Sequence, residues 1–103
     1  IPKNYPLCFK WALAAAKQGD VDAQRNTAIC YQKGRGVEPN HVSAFEWWMK
    51  AAMQDNSHAQ YFVGFYFEQG TGRDIDLIQA LFWYRKAATE GWQLAMEAVE
   101  RLA

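Results

Sequence analysis

The chain has 103 residues, half of them hydrophobic and 16% aromatic, which suits one small domain with a continuous core and is too apolar for intrinsic disorder. Lys and Arg number 11, as do Asp and Glu, so no cationic face points to nucleic acid and no charge block to a disordered tail. No apolar run approaches the roughly 20 residues of a membrane helix, and two cysteines are too few for a disulfide framework or a zinc site.

In chain order, Asn4 is an N-cap type and Pro6 falls where a missing N–H costs nothing, so a helix is predicted over roughly 5–18. Gly19 suits its left-handed end. A second helix runs over roughly 21–33 and stops at Gly34, followed by the loop Gly34-Arg35-Gly36-Val37-Glu38-Pro39. Asn40 caps a third helix, roughly 41–54, ended by Asp55 or, more comfortably in a left-handed conformation, by Asn56. The fourth covers roughly 57–69 before the loop Gly70-Thr71-Gly72-Arg73-Asp74-Ile75. Asp76 caps a fifth over roughly 77–90, Gly91 ends it, and a sixth follows over roughly 92–102.

The odd-numbered helices, called B here, share a signature. Trp11, Trp47 and Trp83 recur at an interval of 36, each followed four residues on by an Ala-Ala pair: Ala15-Ala16, Ala51-Ala52 and Ala87-Ala88. The even-numbered A helices carry Ala23, Ala59 and Ala95 at the same interval. A fixed period of this length signals an all-α fold, an α/α solenoid of antiparallel helix pairs in which each unit buries its apolar face only by stacking. The alanines let helix axes approach and the three tryptophans are expected to fill equivalent buried sites, with Trp48 and Tyr84 facing partly outward. The expected organisation is a half repeat at 1–20, full repeats at about 21–56 and 57–91, and a capping helix at 92–103. Because the chain starts at Ile1 on a B helix without its A partner, an excised piece of a longer array is expected. Its compartment stays open between bacterial cytoplasm and, if a leader was removed, periplasm or secretion.

These residues resemble the Sel-1-like repeat, a relative of the tetratricopeptide repeat. One repeat supplies Ala23-Gln24, Tyr31, Gly34, Gly36-Val37, Asn40, Ala44, Trp47 and Lys50-Ala51-Ala52. The next supplies Ala59-Gln60, Gly64, Phe67, Gly70, Gly72, Asp76, Ala80, Trp83, Lys86-Ala87-Ala88 and Gly91. Thr27-Ala28 and Val63-Gly64 stand where the family has Leu-Gly, Arg73 replaces a loop Val, and Asp55 replaces a Gly; each departure is expected to weaken local packing slightly. The resemblance implies an adaptor in signalling, envelope or secretion assemblies. A cysteine-rich bacterial branch carries Cys at the positions of Ala52 and Gln60; this chain has none there, so the alternative of a hydrolase like that branch lacks its residues. A third reading is a purely structural segment of a longer array.

No catalytic constellation is legible. His41 and His58 read as solvent-facing residues at helix starts, without a nucleophile at a telling spacing. Gly34-Arg35-Gly36 and Gly70-Thr71-Gly72 follow helices and lack the Lys-Ser/Thr of a phosphate loop. The acidic residues are scattered. No enzymatic activity, cofactor or metal is expected.

The fourth helix stands apart, with Tyr61, Phe62, Phe65 and Tyr66 in place of Arg25, Asn26, Ile29 and Cys30 of the second. With Ala59 at 0° and ~100° per residue, Ala59, Gln60, Val63, Gly64 and Phe67 fall between about 0° and 140°, whereas Tyr61, Phe65 and Phe62 fall near 200°, 240° and 300°. An exposed aromatic strip on the concave A-helix surface is therefore expected to bind a protein or peptide, with Tyr61, Phe62 and Phe65 as anchors. Arg25, Asn26, Ile29, Lys33, Gln69, Glu97 and Arg101 surround them and are expected to set selectivity. The competing reading has Phe62 and Tyr66 wedged between A helices. The protein is expected to be monomeric, without membrane insertion. Cys8 and Cys30 fall at one height on the first helical hairpin, open either to two reduced, buried thiols or to a disulfide stapling the terminal half repeat.

Overall fold

A computed structural model describes residues 4–103. Among these the chain forms six helices and no strand: α1 (Tyr5–Lys17), α2 (Val21–Lys33), α3 (His41–Ala52), α4 (Ser57–Gln69), α5 (Leu77–Thr89) and α6 (Gln93–Leu102). Each packs chiefly on the helices next to it in sequence. The stack measures 43 Å along its length against 26 and 24 Å across. This is the helical-repeat architecture the 36-residue period predicts, with α1, α3 and α5 as B helices and α2, α4 and α6 as A helices.

The start of each B helix is fixed by its cap. Asn4, Asn40 and Asp76 accept the amide protons of Leu7, Ser43 and Gln79 at 3.1, 3.0 and 3.1 Å. A second series opens the A helices: Asp20 accepts from Ala23 and Asn56 from Ala59, both at 2.8 Å. Its third member is Trp92, which makes no side-chain cap bond. Asn56 is thus occupied as a cap at φ −78°, so the left-handed turn residue is Asp55 itself, at φ 65°. The loops lie against the starts of the preceding B helices. A Cβ on Gly72 would stand 2.8 Å from the His41 carbonyl oxygen, and Gly36 bears the same relation to Tyr5, so no larger residue fits.

The Ala-Gln pairs tie successive repeats together. Gln24 and Gln60 are buried, and their side-chain amides donate to the carbonyls of Ala16 and Ala52 at 3.2 and 3.3 Å. The repeat is also exact in its aromatic pairs: Phe9–Tyr31 and Phe45–Phe67 meet edge-to-face at 5.3 and 5.4 Å. Arg73, expected to weaken packing, instead lies with its guanidinium 4.6 Å from the Phe45 ring centre and 4.1 Å from that of Phe67. The cation covers that edge-to-face pair, where the preceding repeat has Val37 at the matching position.

The tryptophans depart from expectation. Trp48 and Tyr84, expected to face partly outward, are the large side chains that the B helices bury fully. Trp48 Nε1 donates to Gln32 Oε1 at 3.0 Å, and Tyr84 OH donates to Glu68 Oε1 at 2.7 Å, the same bond one repeat on. Burying an indole or phenol is tolerable when its polar atom has such a partner. The repeating series is not equivalent: Trp83 is 7% exposed, Trp47 half-buried and Trp11 70% exposed. α3 and α5 each follow an A helix, whereas no described helix precedes α1, so among the described residues no helix packs over Trp11 on that side.

Candidate functional site

In α4, His58, Tyr61, Phe62 and Phe65 are spaced i, i+3, i+4 and i+7, which puts them on one stripe of the helix. All four are half-buried, not freely exposed as the wheel suggests, because flanking elements lean onto them. Phe62 stacks on Trp48 at 4.6 Å and 15° between planes. His58 lies 5.4 Å from Trp48, 5.1 Å from Phe62 and 4.9 Å from Trp92, nearly parallel to the last. Tyr61 packs on Trp92 at 6.0 Å and on Tyr84 at 5.5 Å, and Phe65 touches Phe62 at 6.3 Å. The result is one continuous half-buried patch of rings spanning α4 and the start of α6, floored by Trp48 and Tyr84.

Its electrostatics are set by burial. Desolvation, reinforced by the Arg25 charge, pushes the His58 imidazole below its ordinary value of 6.5, so it is neutral at neutral pH. Desolvation first, then Glu68, raises the Tyr61 phenol. At the edge, both Arg101 guanidinium nitrogens bond the Glu68 carboxylate, Nη2 at 3.2 Å to Oε1 and Nη1 to Oε2. Those bonds are the main reason the Glu68 carboxyl is held below its usual 4.5. The Tyr84 phenol is raised by burial and by its bond to Glu68.

The expected site residues separate into groups. Tyr61, Phe62 and Phe65 come together. Tyr66 is buried, its hydroxyl 3.3 Å from His41 Nδ1, and belongs to the core. Phe62 is half-buried and stacks on Trp48 of the B helix α3, not between two A helices. Arg25 is half-buried, with a long 3.8 Å contact to Asp22. Glu97 lies near enough to act on Tyr61. Lys33 and Gln69 are exposed at matching positions on the ends of α2 and α4. Asn26 and Ile29 belong to a separate groove between α1 and α2 that also holds Cys8 and Cys30. Both cysteines are free thiols; Cys8 is exposed, not buried, and Cys30 half-buried.

Sequence reasoning missed His58, Trp48 and Trp92. His58 is not a solvent-facing residue at a helix start; its place in the i, i+3, i+4, i+7 stripe was the available signal. Trp92 announces itself by breaking the Asp20, Asn56 cap series. Two further shallow concavities lie on B helices, over Ile78, Leu81 and Phe82 on α5 and over Leu7 and Trp11 on α1. Among the described residues no group of three His, Cys, Asp or Glu is placed to hold a metal, and no helix is long and apolar enough to cross a membrane.

The Sel1 repeat family model matches residues 1–20, 21–56 and 57–92. The fold superposes with a TM-score of 0.91 on the crystal structure of a Sel1 repeat protein from Oxalobacter formigenes, at 36% identity, covering 96% of this chain and 41% of that one. A protective antigen present in uropathogenic Escherichia coli strains, displaying an SLR fold, matches with a TM-score of 0.90 at 30% identity over 92% of this chain and 20% of its own. Cysteine rich protein B of Helicobacter pylori shares the fold at 20% identity and a TM-score of 0.81, over 87% of this chain and 68% of its own. The chain thus spans less than half the length of the first two. No curated protein matches it.

Proposed function

The chain belongs to the Sel1 repeat family, whose helical repeats generally serve as protein-protein interaction modules, and from that premise we propose that it is a non-catalytic adaptor binding a protein or peptide segment on its A-helix face. The observation that carries this reading is the half-buried ring patch of His58, Tyr61, Phe62 and Phe65 with Trp92. The repeat itself does not require these rings, since the first A helix folds with Asp22, Arg25, Asn26 and Ile29 at the same positions. Aromatic side chains held rigid by their neighbours, with one face open, are the groups that contribute most at interfaces. The mechanism is docking: partner side chains cover the open ring faces, while Arg25, Lys33, Gln69 and Glu97 form a polar rim that selects among sequences. Arg101 acts there through its ion pair with Glu68 and not as a free cation.

The test is capture from source lysate with mass spectrometry, followed by binding of the recovered partner to variants. Tyr61→Ala with Phe65→Ala is expected to lose the partner. Because both rings are half-buried, the variant should melt somewhat lower, by an amount equivalent to about 1–3 kcal/mol, while keeping its helical circular dichroism. A folded double variant that still binds with unchanged affinity overturns the reading.

A further inference from the structure

We propose that the groove between α1 and α2 is a socket for an aromatic side chain of a bound peptide, one with a carboxylate beside it. This rests on reading the A-helix face as a peptide-binding surface and names what one part of that surface takes. The groove has a volume of about 370 Å³. Cys8 and Ala12 line it from α1, Asn26, Ile29 and Cys30 from α2, and Arg35 from the loop that follows.

The chain's own repeat identifies the occupant. One repeat later, Trp48 stands at the position of Ala12, Phe62 at that of Asn26, Phe65 at that of Ile29 and Tyr66 at that of Cys30. Those four rings touch in series, Trp48–Phe62 at 4.6 Å, Phe62–Phe65 at 6.3 Å and Phe65–Tyr66 at 6.4 Å. The scaffolds of the two interfaces match. Both B helices carry the same Asn cap, both A-helix glutamines bond the preceding B helix, and the flanking edge-to-face pairs are spaced 5.3 and 5.4 Å. Space that rings fill between α3 and α4 is therefore left open between α1 and α2, on a scaffold already spaced for rings. A planar ring from outside restores the missing stack, with two polarisable thiols against its edge.

Charge selects the residue beside that ring. Among the described residues, Arg35 is the one ordinarily charged group on the groove wall. Its guanidinium sits 5.6 Å from the Tyr5 ring centre, and its field reaches the floor, where it partly offsets the upward push of burial on the Cys30 thiol. No carboxylate among the described residues is paired with Arg35, so a carboxylate next to the inserted ring meets this cation directly.

The experiment titrates N-acetyl-aspartyl-tryptophanamide into the whole chain, reading backbone NMR shifts and the alkylation rate of Cys30. Saturable shifts at Cys8, Ala12 and Ile29, with slowed Cys30 alkylation, are expected. The lysyl-tryptophanamide analogue should bind about tenfold more weakly, as should the aspartyl probe to Arg35→Gln; equal binding of the two dipeptides overturns the carboxylate assignment. Ala12→Trp with Asn26→Phe transplants the ring pair of the next repeat and should abolish binding while melting no lower than the parent. Should that pair disturb folding, Ile29→Phe alone fills the wall without touching α1 and is expected to block the probe. Tyr61→Ala with Phe65→Ala should keep probe binding even where it loses the protein partner, which separates this proposal from the broader reading. Shifts confined to Tyr61 and Trp92, or undiminished binding by a folded Ile29→Phe variant, overturn it.

Discussion

Trp11 and Trp48 both sit on B helices, one of them in the repeating series and the other out of it, and their environments are opposite. Trp11 is 70% exposed and Trp48 fully enclosed. Trp48 lies between its own A helix, where Gln32 takes its indole N–H, and the next, where Phe62 covers its face. Trp11 has a described A helix on one side only. In a stack built from identical units, recurrence in the sequence marks which surface a residue offers, and the neighbouring unit decides whether that surface is buried. Trp47 and Trp83, half-buried and buried in turn, lie between the extremes.

The largest expected effect sets the two against each other. Trp48→Ala should cost about 3–5 kcal/mol, the range for truncating an enclosed aromatic, and Trp11→Ala less than about 0.5 kcal/mol in this chain. Chemical denaturation of both variants measures the difference; equal costs would mean that exposure does not govern it. Trp83→Ala should fall nearer the first and Trp47→Ala between.

A smaller effect sharpens the comparison at the glutamines. Gln24 Oε1 accepts from Gln54 Nε2 at 2.8 Å, but the residue matching Gln54 one repeat on is Glu90, whose carboxylate has no N–H to give, and Gln60 Oε1 is left without a partner. Glu90→Gln should therefore restore the bond and stabilise by about 0.5–1.5 kcal/mol. A lowered or unchanged midpoint in denaturant refutes the account.

The smallest effect is on acid sensitivity. His58 has its folded value below 6.5, so its neutral form stabilises fully above about 6.5, and that contribution is lost as pH falls toward the lowered folded value. Glu68 works in the same direction in a lower window, lost as pH falls through a folded value below 4.5. His58→Gln should remove the upper step and leave the lower. A stability profile whose upper step survives the substitution assigns that step elsewhere.

The fold was legible because its signals recur: caps at Asn4, Asn40 and Asp76, the Ala-Ala pairs and the glycine turns each state a local rule three or two times in register. The site was partly legible. Tyr61, Phe62 and Phe65 announce themselves by replacing polar or smaller residues of the preceding A helix. Their half-burial is not written in any single helix, because it comes from Trp92, 31 residues beyond Tyr61 in sequence, and from Trp48 beneath. Asn26 and Ile29 read as flanks of one strip and lie in a groove of their own because Ala12, on a different helix, is small. Residues that recur can be placed by a ruler, whereas a void appears only where two helices are both depleted.

Trp92 brings a dynamic consequence. α6 is the shortest described helix, 10 residues, starts without a side-chain cap bond and packs chiefly on α5, reaching α4 only through Trp92 and Arg101. Helices held on one side open more readily than those held on two, so its amides should exchange with solvent before those of α4. When α6 lifts, Trp92 leaves the faces of His58 and Tyr61 and the Arg101 clasp on Glu68 parts. Such lifting would leave the ring patch larger and wetter than in the closed form. A ligand that covers Trp92 in place raises the protection of α6, whereas one that takes its place lowers it, so exchange rates at this one helix report which form the partner chooses.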